Sequence, residues 1–255
     1  MPLAISRLKR IIPVGRLILV GPKGIFPRLE SQVDVFVGFD EPNVGKARGI
    51  GLKHVETESY ASIDSDVLIS QNWYKWCRKA LKPEKVAAAQ GFEKNISGIY
   101  SSLAEKWIRQ GASFKGVRLP AGLGNTLLKT DVVRDVGMPV TAAFEDLELA
   151  RRIRQAGYLW VCNLNLVSTH LKNDVDVWKH WARWAFLAGD GEMTKIQLKI
   201  LLYDLSPLHA REKHTLSQEH MFDIAFRISY ILGRIHSKLE VCTRRLPGFK
   251  NVRSK

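Results

Sequence analysis

Cysteine is scarce: Cys77, Cys162 and Cys242 are the three in 255 residues, and no two form a C-x-x-C pair. Such spacing indicates neither a zinc site nor a disulfide framework and suits a reducing compartment. No run approaches the roughly 18 consecutive apolar residues that a membrane span needs. The opening segment "MPLAISRLKRIIPVGRLILVG" carries arginines and a lysine inside its apolar stretches, unlike a secretory leader. The expectation is a cytoplasmic protein, soluble or peripheral on the cytoplasmic face of a membrane. There is no Walker-type G-x-x-x-x-G-K-[ST] and no G-x-G-x-x-G. Zinc-finger, helix-turn-helix and aromatic-basic ribonucleoprotein signatures are lacking too, so nucleic acid is not the expected partner. No internal repeat or low-complexity segment stands out.

What the chain has in excess is positive charge, +14 from 39 Lys and Arg against 25 Asp and Glu. That balance favours polyanions, whether nucleic acid, an anionic lipid surface or phosphorylated substrates, and does not choose among them. With 45% hydrophobic residues the chain can bury a substantial core.

The order of elements is legible from periodicity. "RLILVG" (16–21) and "VDVFVGF" (33–39) read as strands separated by a short helix or turn. "EPNVGKARGIGLKHVETE" (41–58) reads as a helix with Asn43 able to cap its start. A strand into Asp64 follows, then a helix over 71–82 stopped by Pro83, then a buried strand over 85–92. Residues 100–111 form an amphipathic pattern, and 122–139 a strand running into a short helix. "FEDLELARRIRQAGY" (144–158) is a helix with acids in its first turn, arginines later and Gly157 as its stop. "LWVCN" and "NLVSTH" close the region as two strands, the second ending at His170. Alternating strands and helices predict an α/β class with a mixed, mainly parallel sheet flanked by helices. From about residue 173 to 255 the pattern becomes helical, basic and amphipathic, with tryptophans at 178 and 181 and a long helix over roughly 216–244. Such helices can lie on an anionic membrane or simply cover a core.

One short stretch carries chemistry. Asp64-Ser65-Asp66 stands at a strand end, and in extended backbone alternate side chains share a face, so both carboxylates can converge. Converging carboxylates call for a cation, and a hard divalent metal carrying substrate phosphates suits them. Such a triplet also arises by chance.

The triplet has company. "NVGKARGIGLKHVETESYASIDSDV" resembles the glycine-alanine-arginine helix and D-x-D strand of family 2 glycosyltransferases, which have the GT-A fold. "GNTLLKTDVVRDVGMPVTAAFEDLELARRIRQAGY" is similar to that family's acceptor segment with its E-D pair, and His170 stands where many members place a histidine. The resemblance covers about residues 15–172 and implies an inverting, metal-dependent transfer from a nucleoside-diphosphate sugar. It implies Mn²⁺ or Mg²⁺ on Asp66, with Asp64 on the metal or ribose and His170 completing the coordination. It implies Asp146 as base with Glu145 beside it, and Arg48 and Lys23 near diphosphate or an acidic sugar. The acceptor is left open among lipid-linked, glycan and protein hydroxyls.

The residues also admit plainer roles. Glu145 and Asp146 suit any first helical turn, Arg48 and Lys23 a solvated surface, and His170 an ordinary strand end. The chain departs from the family where the nucleobase is usually held: its first segment begins near the helix "ISRLKRIIP", and the next strand ends Gly21-Pro22-Lys23. The expectation is a GT-A-like catalytic domain over 1–172 whose first strand is missing, followed by an extension over 173–255. The rivals are a non-catalytic module for an anionic partner and a sugar-nucleotide nucleotidyltransferase.

Overall fold

The computed structural model describes residues 2–24, 27–41, 43–96, 113–114, 117–118, 121–141 and 143–172, with 228, 231, 232 and 235. The chain divides into two compact units, 1–174 and 175–255. In the second unit the four described residues are helical. The helical pattern expected for the rest of 173–255, and that over 100–111, lie outside the described residues.

In the first unit the elements run α1 (Pro2–Ile11), β1 (Ile18–Gly21), α2 (Pro27–Glu30), β2 (Val35–Gly38), α3 (Val44–Lys53), β3 (Ser59–Ile63), β4 (Val67–Leu68) and α4 (Trp73–Ala80). They continue with β5 (Val86–Asn95), β6 (Ser113–Phe114), β7 (Val117–Arg118), β8 (Asn125–Lys129), α5 (Thr130–Val136), α6 (Glu145–Gln155) and β9 (Leu159–His170). The central sheet has the order β3-β8-β5-β9-β4, β1 pairs β2 in parallel, and β6 and β7 form a small antiparallel ribbon. Strands β3, β5 and β9 run one way while β8 and β4 run the other. The sheet is therefore mixed, with most of its strands aligned.

Period-two alternation sorts the sheet's side chains onto two helical layers. Ala89 and Leu127 face one cluster with Leu8, Trp73, Cys77 and Leu81, drawn from α1 and α4. Their neighbours Ala88 and Leu128 face the other with Leu52, Val132, Val133, Leu149 and Ile153, drawn from α3, α5 and α6. Each such fully buried Leu or Ile contributes about 1.5–3 kcal/mol. Three alanines in β5, residues 87 to 89, have no exposed surface, so both layers approach the strand closely.

The two closing strands expected from "LWVCN" and "NLVSTH" are one strand, β9, with a break in register. Gly91 pairs Asn163 and Phe92 pairs Val167, and residues 164–166 loop out between them. A Cβ on Gly91 would sit 2.7 Å from the Leu166 carbonyl oxygen, so glycine there is what lets the bulge fold back onto β5. Cys77 and Cys162 are free thiols, and burial pushes both up to about 12. Among the described residues no helix is long and apolar enough to cross a membrane.

Candidate active site

The sequence-marked residues gather at one end of the sheet. Strands β3 and β9 finish at Ile63 and His170, β5 passes Glu93 two residues before its end, and antiparallel β8 starts there at Asn125. Two helices add to this rim: α3 contributes Arg48, and α6 begins with Glu145 and Asp146.

Asn43 starts α3 by accepting the Lys46 amide on its side-chain oxygen at 2.8 Å, while its side-chain nitrogen donates to the Val140 carbonyl at 3.0 Å. The cap thereby ties α3 to the loop before α6. Gly45 tightens the same junction: a Cβ there would lie 2.4 Å from the Pro139 oxygen and 2.7 Å from that of Thr141. Phe144, just ahead of α6, has φ 57 and ψ 28, a left-handed conformation unusual for a bulky residue. It sets the start of α6, whose first residue, Glu145, accepts from Arg48 Nε. Farther along α6, Leu149 and Ile153 are fully buried, and Glu148 is held at about 2 by Arg151 and Arg152.

Arg48 is the hub. Its Nε donates to Glu145 Oε1 at 3.1 Å, Nη1 to Ser62 Oγ at 2.6 Å and to the Leu123 carbonyl at 3.0 Å, and Nη2 to Asp64 Oδ1 at 2.7 Å. Its side chain is 14% exposed. Burial opposes its charge, but Asp64, Glu145 and Asp146 outweigh burial and hold its pKa above the ordinary value. Four of the guanidinium's five donor positions thus go to protein. Arg48 is a clamp joining α3, β3 and α6, and not the free surface cation of the plainer reading.

Asp64 and Asp66 diverge. The strand ends at Ile63, Ser65 and Asp66 form a turn, and the Val67 amide donates to the Asp64 carbonyl at 3.0 Å. The extended backbone assumed for Asp64-Ser65-Asp66 is replaced by this turn, so the side chains take different partners. Asp64 faces Arg48, while Asp66 Oδ1 lies 3.2 Å from His170 Nε2 and its Oδ2 lies 3.4 Å from Lys172 Nζ. Burial would raise the Asp66 pKa, but His170 and Lys172 bring it below the usual carboxylate range.

His170 stands between two carboxylates, with Nδ1 3.3 Å from Glu93 Oε2. Burial would lower its pKa, yet Asp66 and Glu93 raise it to about 9. Nε2 is buried without a hydrogen-bond partner, its approach to Asp66 being close but not aligned as a hydrogen bond. Among the described residues no group of three or more His, Cys, Asp and Glu is arranged to hold a metal ion. Asp66 and His170 instead bring one carboxylate oxygen and one imidazole nitrogen to 3.2 Å, the nitrogen lacking an aligned hydrogen bond. That fits a hard divalent cation whose other positions go to phosphate oxygens and water.

Asp146 behaves differently. Its Oδ1 accepts the Leu147 amide at 2.8 Å, and its Oδ2 faces Gly122, 3.9 Å from where a Cβ would stand. Burial and the neighbouring Glu145 charge push its carboxyl well above the ordinary value, and burial raises Glu145 as well. Of Asp64, Asp66, Glu145 and Asp146, Asp146 is the one without an ion pair among the described residues.

Lys23 follows β1 in an exposed turn, its stem lying across Gly38 and its amide donating to Asp40 Oδ1 at 3.0 Å. Among the described residues its contacts thus lie at Gly38 and Asp40, at and just past the end of β2. Glu93, Ser62, Gly124 and Lys172 join the site without having been marked in the sequence. A polar pair, Glu93-Lys94, ending an otherwise buried strand was the available signal for Glu93.

No protein-family model matches the sequence, and no curated protein does. Solved structures do. The chain is similar to a mannosyltransferase from Pyrobaculum calidifontis solved with GDP-Man and Mn²⁺, with TM-score 0.53 and 12% identity over 96% of this chain and 73% of that one. It is similar to glucosyl-3-phosphoglycerate synthase from Mycobacterium tuberculosis solved with Mn²⁺, UDP-Glc and phosphoglyceric acid, with TM-score 0.53 and 16% identity over 72% and 71% of the two chains. GalNAc-T7, solved with UDP, GalNAc and Mn²⁺, gives TM-score 0.52 and 12% identity over 96% of this chain and 55% of that one. These likenesses establish the class of the fold, the mixed α/β architecture of GT-A glycosyltransferases.

Proposed function

We propose that the chain is a metal-dependent glycosyltransferase that moves a sugar from a nucleoside-diphosphate sugar to an acceptor hydroxyl, with inversion at the anomeric carbon. The observation that carries this is the placement of Asp66 Oδ1 3.2 Å from the buried His170 Nε2, on the rim where Asp146 has no ion pair among the described residues. The solved proteins of the same fold described above were crystallised with Mn²⁺ and nucleotide sugars or nucleotides, which supports the donor class.

Asp66 and His170 would hold Mn²⁺ or Mg²⁺, and the ion would supply charge neutralisation to the leaving diphosphate. Asp64, fixed by Arg48, keeps its second oxygen for the donor's ribose or the metal. Lys172 adds a cation beside Asp66. Asp146 takes the acceptor's proton, since its raised pKa brings a carboxylate closer to the basicity that neutral-pH proton transfer needs. With Asp64, Asp66 and Glu145 each engaged by a cation, one base and one displacement describe the reaction, and one displacement inverts.

The catalytic domain is assigned to residues 1–172, with 173–255 as an extension suited to an anionic membrane surface and a lipid-linked acceptor. Glycan and protein acceptors share the same base chemistry. The test is release of nucleoside diphosphate from a panel of UDP and GDP sugars, with Mn²⁺ and with EDTA. Turnover of one donor that EDTA stops is expected, and no turnover of any donor in either condition contradicts the proposal.

A further inference from the structure

We propose that Glu93 is the positioning residue for His170, holding the imidazole by its Nδ1 edge so that Nε2 faces Asp66, and that residue 124 is glycine to leave room for that carboxylate. This rests on the reading of Asp66 and His170 as the metal's protein ligands.

Register places the two side chains together. Glu93 pairs Ser168 and Asn95 pairs His170, so Glu93 and His170 are diagonal neighbours on one face of the parallel β5–β9 pair. Glu93 Oε2 then reaches to 3.3 Å from Nδ1, while the opposite ring nitrogen lies 3.2 Å from Asp66 Oδ1. A neutral imidazole that donates Nδ1–H to a carboxylate presents its Nε2 lone pair to a metal, which on binding displaces the proton that Asp66 and Glu93 favour on His170, and the carboxylate makes that nitrogen a better ligand.

Gly124 supplies an independent observation. Its backbone is not in the left-handed region, so conformation does not require glycine. Space bears on the carboxylate: a Cβ there would lie 2.3 Å from Glu93 Oε1 and 3.0 Å from Oε2, so the end of the Glu93 side chain would have to move aside. The Gly124 carbonyl also accepts the Asp64 amide at 2.9 Å. One glycine thus joins the strand end bearing Asp64 to the carboxylate that orients His170.

The experiment titrates Mn²⁺ into the full chain, with and without UDP, and follows the paramagnetic resonance of the free ion, with melting curves recorded in parallel. Glu93→Gln should weaken Mn²⁺ binding about 10- to 100-fold while the protein stays folded. Gly124→Ala should weaken it in the same direction, because the added methyl displaces the same carboxylate; Glu93→Asp replaces Glu93→Gln if the latter does not fold. Unchanged Mn²⁺ affinity in folded variants overturns the inference and leaves the proposed function standing. A loss as complete as that in Asp66→Ala also overturns it, since Glu93 would then be a direct ligand. If the parent chain takes up no Mn²⁺ in either condition, the proposed function fails and the inference fails with it.

Discussion

Arg48 and Glu145 lie 97 positions apart in the chain, yet Arg48 Nε donates to Glu145 Oε1 at 3.1 Å in a nearly closed interior. The same guanidinium reaches Asp64, so a single side chain sets α3, β3 and α6 against one another.

Removing that clamp should unfold more than it disarms. Arg48→Ala leaves the Glu145 carboxylate buried and uncompensated, a loss of about 3–5 kcal/mol. Arg48→Lys should recover only part of this, because one ammonium cannot reproduce the guanidinium fork. Urea denaturation measures both, and a loss below about 1 kcal/mol for Arg48→Ala would contradict the clamp.

Two glycines of α3 should respond differently. In an exposed helix interior, Gly→Ala stabilises by about 1 kcal/mol. At Gly49 the nearest atom to an added Cβ is Met138 Cγ at 3.7 Å, an ordinary contact, so Gly49→Ala should be neutral or stabilising. At Gly45 the added carbon would meet two carbonyl oxygens, so Gly45→Ala should lower the melting temperature. A rise at Gly45 would mean that α3 does not dock on the 139–145 loop as described.

The pH dependence follows from Asp146. A base works only when deprotonated, and this carboxyl is held well above its ordinary value by burial and by Glu145. Activity should therefore fall as pH is lowered through a point well above the usual carboxylate range. Asp146→Asn should lower kcat about 100- to 10,000-fold and remove that limb. An acid limb at about pH 4 would contradict the assignment.

Much of the fold was legible. Asn43 announced the start of α3, the charge order along α6 matched its dipole, and the apolar run over 85–92 marked β5 as a buried strand. The site was legible as positions more than as contacts. Alternation brings Asp64 and Asp66 to one point only in extended backbone, and a turn at Ser65 intervenes. Arg48 suited either a diphosphate contact or a solvated helix face, because helical spacing says nothing of carboxylates arriving from elsewhere. Glu93 lies 77 residues from His170, and only the β5–β9 register shows that they meet. The bulge in β9 broke one strand into two apolar runs.

The central claim is that Asp66 and His170 hold a divalent ion together with a diphosphate. Its most direct test is the melting temperature of the chain with UDP or GDP, with and without Mn²⁺, beside Asp66→Ala. A ligand at 100 times its Kd adds about 2.7 kcal/mol, which for a chain of this size raises the melting temperature by about 5–10 °C. The account predicts a rise with at least one nucleotide that requires Mn²⁺ and disappears in Asp66→Ala. No Mn²⁺-dependent rise with either nucleotide, or one that Asp66→Ala retains, would contradict it.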